Sequence, residues 1–272
     1  MNKHANLKLS TLHDGRVLEV RLNRPDVRNA FNEDLIGDLL DVFTEAAAAK
    51  SKGGKQVRAI VLRGEGKAFC GGGDLNWMKR GLEIGEEANY ADCKRLTRMF
   101  LAMDRCPIPV IGLVHGFAIG GGVGLTAVCD HVVAVEGTIF SLSEVKLGLV
   151  PACIGPFVLA KIGMSQCRSL FLSGERFDAD KACRIGLVHE VASAAEAEAR
   201  IDTVLSQVLE GGTHAIGIAK NLLHTLFWDL RSEPFEKSLD FAARELAKLR
   251  VGPEGQEGLK AFLEKRSPSW RK

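Results

Sequence analysis

No apolar run in the 272-residue chain approaches the ~18 residues that a membrane-spanning helix needs. The N-terminal stretch MNKHANLKLSTLHDGR has no apolar centre of the kind a secretory signal carries, so secretion is not expected. Blocks of Lys or Arg never exceed a few residues, and the net charge is only +2 with both signs interleaved, which argues against a nucleic-acid-binding face. The seven cysteines are odd in number and contain no C-x-x-C pair. They read as reduced, mostly buried thiols of a cytoplasmic protein rather than a disulfide framework. No Cys or His pair has zinc-ligand spacing, so no metal site is expected. What is present is 46% apolar residues at a mean hydropathy of +0.03, enough for a sizeable core in a water-soluble chain. A small-molecule enzyme is the class these absences leave.

Arg16 to Leu22 alternates so that Leu18, Val20 and Leu22 share one face, the mark of a strand. Asn32 stands as an N-cap before Leu35, Ile36, Leu39, Leu40 and Phe43 at helical spacing. Val57 to Leu62 is a short apolar run suited to a buried strand, and it opens into a glycine-rich loop, Gly64 to Gly73, with a short helix from Asp74. The polar but helix-compatible residues 86–105 end at Cys106-Pro107-Ile108-Pro109, where the prolines force extended backbone. The order then recurs: an apolar strand, Val110 to Val114, a cluster Gly120-Gly121-Gly122, and an apolar helix over Val123 to Cys129. His131 to Val135 and Thr138 to Leu142 read as further strands. Beyond about Ala195 the pattern is helical, in four stretches: Ala195 to Leu209, Thr213 to Phe227, Pro234 to Leu249 and Pro253 to Arg266. The division is therefore an α/β core over residues 1–194 and a helical region over 195–272, whose apolar faces cover either their own core or a neighbouring subunit.

Glycine turns that precede helices point backbone N–H groups at negative charge, and the helix dipole adds to the effect. Two occur here, Phe69-Cys70-Gly71-Gly72-Gly73-Asp74 and Ile119-Gly120-Gly121-Gly122-Val123-Gly124. Neither has the G-K-[ST] of a Walker loop or the G-x-G-x-x-G dinucleotide spacing. Either alone serves equally well as a tight turn. As a pair, each between an apolar strand and a helix, they suit a developing oxyanion.

The segments N-R-P-D-V-R-N-A-F, A-I-V-L-R-G-E-G-K-A-F-C-G-G-G-D-L, V-H-G-F-A-I-G-G-G-V-G-L, L-S-E-V-K-L-G-L-V-P and A-F-L-E-K-R-S-P-S-W resemble the enoyl-CoA hydratase/isomerase (crotonase) family in order and spacing, from about residue 10 to the end. The resemblance implies an α/β fold: a spiral of ββα units followed by a helical region that builds trimers, usually paired into hexamers. It implies acyl-CoA substrates with no separate cofactor, and no nucleic-acid or membrane partner. It implies an oxyanion hole from the Gly73 and Gly121 N–H groups. Family hydratases carry two glutamates. The first position is Gly124 here, and the second is Glu144, so one carboxylate remains. A lone carboxylate has three routes. It activates water and returns the same proton, it shares the work with another group, or it shuttles a proton without water, as in the family's isomerases.

The stretches G-G-G-V-G-L-T-A-V-C-D and S-E-V-K-L-G-L-V-P-A-C-I-G-P-F-V-L are similar to the bacterial branch that hydrates 3-methylglutaconyl-CoA or isohexenylglutaconyl-CoA, in leucine and acyclic terpene catabolism. The resemblance further implies substrate contacts from the backbone of Gly73, Asp74, Leu75 and Asn76, from Arg28 near the CoA phosphates, and from Phe262 and Lys265 toward the adenine end. For three of them there is a plainer role: Asp74 as a helix cap, Arg28 as a solvated arginine, Phe262 as core. His115 and Cys70 read as structural, and the roles of Trp77 and Met78 stay open between acyl contact and packing.

Overall fold

The computed structural model describes residues 4–51, 57–229, 252–254, 256–257, 261 and 264–271. Its centre is a six-stranded sheet in the order β1-β2-β3-β4-β6-β9. Those strands are β1 (Leu7–Leu12), β2 (Val17–Leu22), β3 (Ala59–Gly64), β4 (Val110–Val114), β6 (His131–Val135) and β9 (Glu190–Ala192). Only β1 and β2 pair antiparallel, through a tight turn in which His13, Asp14 and Gly15 all take positive φ. The remaining neighbours are parallel. A parallel sheet is covered on both faces, and the side chains sort accordingly. Val20, Leu22, Ile60, Leu62, Val110, Val114, Val132 and Ala134 enter the larger core, whereas Val17, Ala59, Val61, Ile111, Leu113 and Val133 enter a second one. Each large aliphatic side chain so buried contributes about 1.5–3 kcal/mol.

The larger core is roofed by α1 (Glu33–Ser51) and α3 (Gly85–Asp104), and α2 (Leu75–Gly81) lies between them in sequence. Asn32 caps α1 as the sequence predicts: its side-chain oxygen accepts the Leu35 N–H at 2.9 Å. The second core is closed by α7 (Ala197–Glu210), which buries Ala197, Ile201, Val204, Leu205 and Leu209. The first helix of the C-terminal region thus covers its own sheet. The predicted helix over Thr213 to Phe227 appears as α8 (Thr213–His224), and the one over Pro234 to Leu249 lies outside the described residues.

The strand predicted over Thr138 to Leu142 appears as β7 (Ile139–Ser141), and other elements depart from the sequence pattern or have no counterpart in it. A three-stranded sheet, β5 (Phe117–Ile119), β7 and β8 (Arg176–Asp178), stands apart from the main one. α5 (Gly155–Ser173) is kinked at Gly163, where φ is 74°. α4 (Gly121–Ala127) begins two residues earlier than the apolar run suggests, directly on the glycine cluster. The short α6 (Ala179–Arg184) follows β8. Among the described residues no helix is long and apolar enough to cross a membrane.

Candidate active site

The first loop is held by the turn after β2. Asn29 is fully buried with positive φ (54°), and its side-chain amide donates to the carbonyl oxygens of Glu65 (2.9 Å) and Ala68 (2.8 Å). Its side-chain oxygen accepts the Arg24 N–H at 2.8 Å. The Gly71 N–H donates to the Arg28 carbonyl oxygen at 2.8 Å. Gly64 and Gly116 permit the loop's tight path: a Cβ on Gly64 would lie 2.6 Å from the Phe69 carbonyl oxygen, and one on Gly116 would lie 2.1 Å from that of Lys67.

The two glycine loops lie side by side. Cys70 exchanges backbone hydrogen bonds with Phe117 and Ile119 (both 3.0 Å), which joins the first loop to β5. A Cβ on Gly122 would stand 2.5 Å from the Cys70 carbonyl oxygen, so only glycine allows this approach. Phe31 joins the loops a second way. Its N–H donates to the Gly72 carbonyl oxygen (2.7 Å), and its own carbonyl oxygen accepts the Asp74 N–H (2.8 Å). Its ring closes on the second loop, where a Cβ on Gly121 would meet it at 2.6 Å. The sequence pattern held no sign of this role, because Phe31 reads there as one more apolar residue.

Neither the Gly73 nor the Gly121 N–H donates to any acceptor among the described residues, whereas those of Gly71, Asp74, Gly120 and Val123 do. Gly121 opens α4, so its free amide also sits at the positive end of the helix dipole. Gly73 is exposed, with Trp77 and Met78 packed over it at 4.0 and 3.4 Å from the place a Cβ would take. Trp77 also leans on the larger core and donates to Asp92 at 3.3 Å.

Glu144 lies on a 3-10 turn, Ser143–Leu147, after β7. One carboxylate oxygen rests 3.1 Å from where a Cβ of Gly120 would be, beside Gly121. The other is buried without a hydrogen-bond partner. Burial pushes the Glu144 pKa above its ordinary value, against a smaller lowering by its own backbone N–H. A carboxyl group that is half-buried, poorly solvated and beside the second glycine loop is equipped to move a proton.

The position of the family's first glutamate is closed. A Cβ on Gly124 would lie 2.4 Å from Ile154 Cγ2 and 2.9 Å from Phe100 Cζ, and both side chains are buried. Phe100 in turn packs edge-on against Phe31 and tilted against Phe157, with ring centroids 6.0 and 5.9 Å apart. No carboxylate fits there unless this apolar wall moves.

Asp74 caps α2, accepting the Asn76 N–H at 2.8 Å, and pairs with Arg24 at 2.8 Å. Burial alone would raise its pKa, but Arg24 and the capping N–H outweigh it and hold the carboxyl below the usual range. Leu75 and Asn76 are exposed on the first turn of α2. A cavity of about 270 Å³ opens here, lined in part by Arg24, Asp74, Asn76, Trp77 and Arg80. Arg28 is exposed, in the left-handed region (φ 54°), with its guanidinium 5.9 Å from the centre of the Phe117 ring. Lys265 is exposed at φ 53°, and Phe262 lies outside the described residues. His115 bonds the Gly66 carbonyl oxygen through Nε2 at 3.0 Å and accepts the Phe69 N–H at 2.9 Å, both structural contacts. Cys70 is fully buried and its thiol is pushed up to about 12 by desolvation, far from a nucleophile's range.

Among the described residues the site thus offers backbone N–H groups without an acceptor on two adjoining glycine loops, and one half-buried carboxylate. The sequence model of the enoyl-CoA hydratase/isomerase family matches residues 13–272. The chain belongs to this family. An enoyl-CoA hydratase from Shewanella pealeana shares 35% identity, with a TM-score of 0.91 over 98% of this chain and 97% of that one. AtuE from Pseudomonas aeruginosa shares 36%, with a TM-score of 0.91 over 98% and 100%. An enoyl-CoA hydratase/isomerase from Marinobacter aquaeolei shares 36%, with a TM-score of 0.90 over 98% and 99%. The fold is therefore crotonase-like, and as a family member the chain is an enzyme of acyl-CoA chemistry.

Proposed function

We propose that the chain is a hydro-lyase adding water across the double bond of a 3-branched glutaconyl-CoA thioester, 3-methylglutaconyl-CoA or isohexenylglutaconyl-CoA. The observation that carries the catalytic part is the conjunction of two unengaged N–H groups, Gly73 and Gly121, with a buried carboxylate oxygen of Glu144 that has no partner. The thioester oxygen accepts from both amides. Charge that develops on it as an enolate forms is stabilised by about 2.7–4 kcal/mol per donor in a water-poor site. Glu144 takes a proton from water, hydroxide adds to Cβ, and the same proton is returned to Cα, so one carboxylate serves as base and then acid. The closed volume at Gly124 supports this single-carboxylate route. The choice of a glutaconyl substrate rests on the resemblance of residues 120–130 and 143–159 to that branch. Arg28, the α2 start from Asp74 to Asn76, Lys265 and Phe262 are proposed to hold the CoA moiety.

The same apolar wall favours a second reading, a double-bond isomerase. Such an enzyme needs no water and moves one proton through Glu144. Both CoA esters should lose their conjugated double bond when mixed with the protein. Turnover of a 3-enoyl-CoA with no hydration of either ester would replace the first reading by the second. Tight acyl-CoA binding without turnover of any of them would leave a non-catalytic relative.

A further inference from the structure

Four of the seven cysteines, Cys70, Cys106, Cys129 and Cys167, are buried, and Cys183 is half-buried with its thiol 3.7 Å from the His189 carbonyl oxygen. The remaining two approach each other across 60 positions of sequence. Cys93 is exposed on α3. Cys153 is half-buried just before α5, with its sulfur 3.9 Å from the Cys93 carbonyl oxygen and near enough to the Cys93 thiol for the two to interact. Burial first, and then Cys93, hold the Cys153 thiol up at about 11.

The placement bears on the active site. Cys93 precedes Phe100 by two turns of α3, so the two share a face of the helix. Cys153 is bonded directly to Ile154. Phe100 and Ile154 are the two side chains that close the volume at Gly124. A bond between the thiols would tie together the two segments that carry this wall.

We propose that Cys93 and Cys153 form a redox-active dithiol that closes to a disulfide on meeting a small-molecule disulfide, and that the bond fixes the wall beside the candidate active site. The exposed Cys93 thiolate attacks one sulfur of R–S–S–R, forming a mixed disulfide and releasing RS⁻. The Cys153 thiolate then attacks the Cys93 sulfur, forming the Cys93–Cys153 bond and releasing the second RS⁻. Two electrons pass to the reagent, and the two thiol protons end on the two RSH products. The consequence for turnover rests on the acyl-CoA reading above, whereas the disulfide does not.

The full chain is treated with oxidised glutathione and digested without reductant. A cross-linked peptide pair joining Cys93 to Cys153 should appear, with the loss of two titratable thiols and their recovery in dithiothreitol. Cys153→Ser should instead keep glutathione on Cys93, because nothing resolves the mixed disulfide. A persistent glutathione adduct on wild-type Cys93, or a Cys93 bond between two chains, overturns the proposal. Turnover should fall several-fold in the oxidised wild type, return in dithiothreitol, and be insensitive in Cys93→Ser. A formed disulfide with unchanged turnover overturns its effect on the site. An absence of turnover in the reduced protein counts against the function reading alone, since the bond is read by mass.

Discussion

Glu144 carries a conflict that sets its own tests. Its carboxylate is kept half-buried with one oxygen unpartnered, which penalises the charge that a base must carry. With its pKa raised above the ordinary 4.5, the acid limb of kcat/KM should lie above that pH. A pH–rate profile falling only at or below it would remove Glu144 as the base. The sign of the stability effect is opposite to that of a paired carboxylate. A group whose folded pKa exceeds its unfolded one contributes stability fully present below the unfolded pKa, and loses it as pH rises through the folded one. Glu144→Gln should therefore abolish turnover, keep acyl-CoA binding, and match or exceed wild-type stability at pH 8 in urea titration. Gly124 gives a second residue-scale test. Gly124→Ala should cost about 1–3 kcal/mol, since Ile154 and Phe100 must yield to the added methyl group. In a double-mutant cycle with Ile154→Ala the two losses should sum to more than the combined loss. Simple additivity would mean that the wall yields freely.

Among the elements, α2 owes its position to one side chain that does two jobs. Asp74→Asn keeps the cap and loses the Arg24 pair, whereas Asp74→Ala loses both. The alanine variant should be the less stable of the two by about 1 kcal/mol, the worth of a cap. Because the Asp74 pKa is depressed, its ionic contribution is present above the unfolded carboxyl value and is lost as pH falls through the folded one. The gap between wild type and Asp74→Asn should therefore narrow in acid. Equal stabilities of the two variants at pH 7 would count against the cap. The same scale shows where the chain's pattern was readable. β2, β3, β4, β6, α1 and α3 were, because a sheet buried on both faces imposes long apolar runs and α1 carries its own cap. β7 was read as part of Thr138 to Leu142, whereas β5, β8 and β9, three residues each, lay in no segment long enough for a period to register. β1 escaped because only Leu7 of its six residues is buried. In the proposed site, the two glycine loops and the segment that carries Glu144 were legible from their motifs. The reason no first glutamate fits was not, since Phe100 and Ile154 reach Gly124 from distant parts of the chain.

For the whole molecule, the apolar surface carries the remaining inference. Scattered exposed leucines are ordinary. Leu147, Leu149 and Val150 are different: they are 61%, 55% and 68% exposed within four positions, directly after Glu144. Leu223 on α8 is 69% exposed, and Phe227 and Trp228 follow it in edge-to-face contact at 4.8 Å. Patches of this kind mark surfaces that meet substrate or another chain. The family resemblance of the C-terminal region makes a trimer, or a pair of trimers, the proposed assembly. Sedimentation should then give about three or six times the 29.5 kDa chain mass. Leu223→Glu should shift that mass downward if α8 lies in the interface, since an unpaired charge is costly to bury against apolar neighbours. Far-ultraviolet dichroism separates dissociation from unfolding, because α7 packs on its own sheet and should keep its helix in the dissociated chain. A wild-type protein that sediments as a single chain at micromolar concentration would remove the assembly. Leu223 would then be free to serve only its own chain.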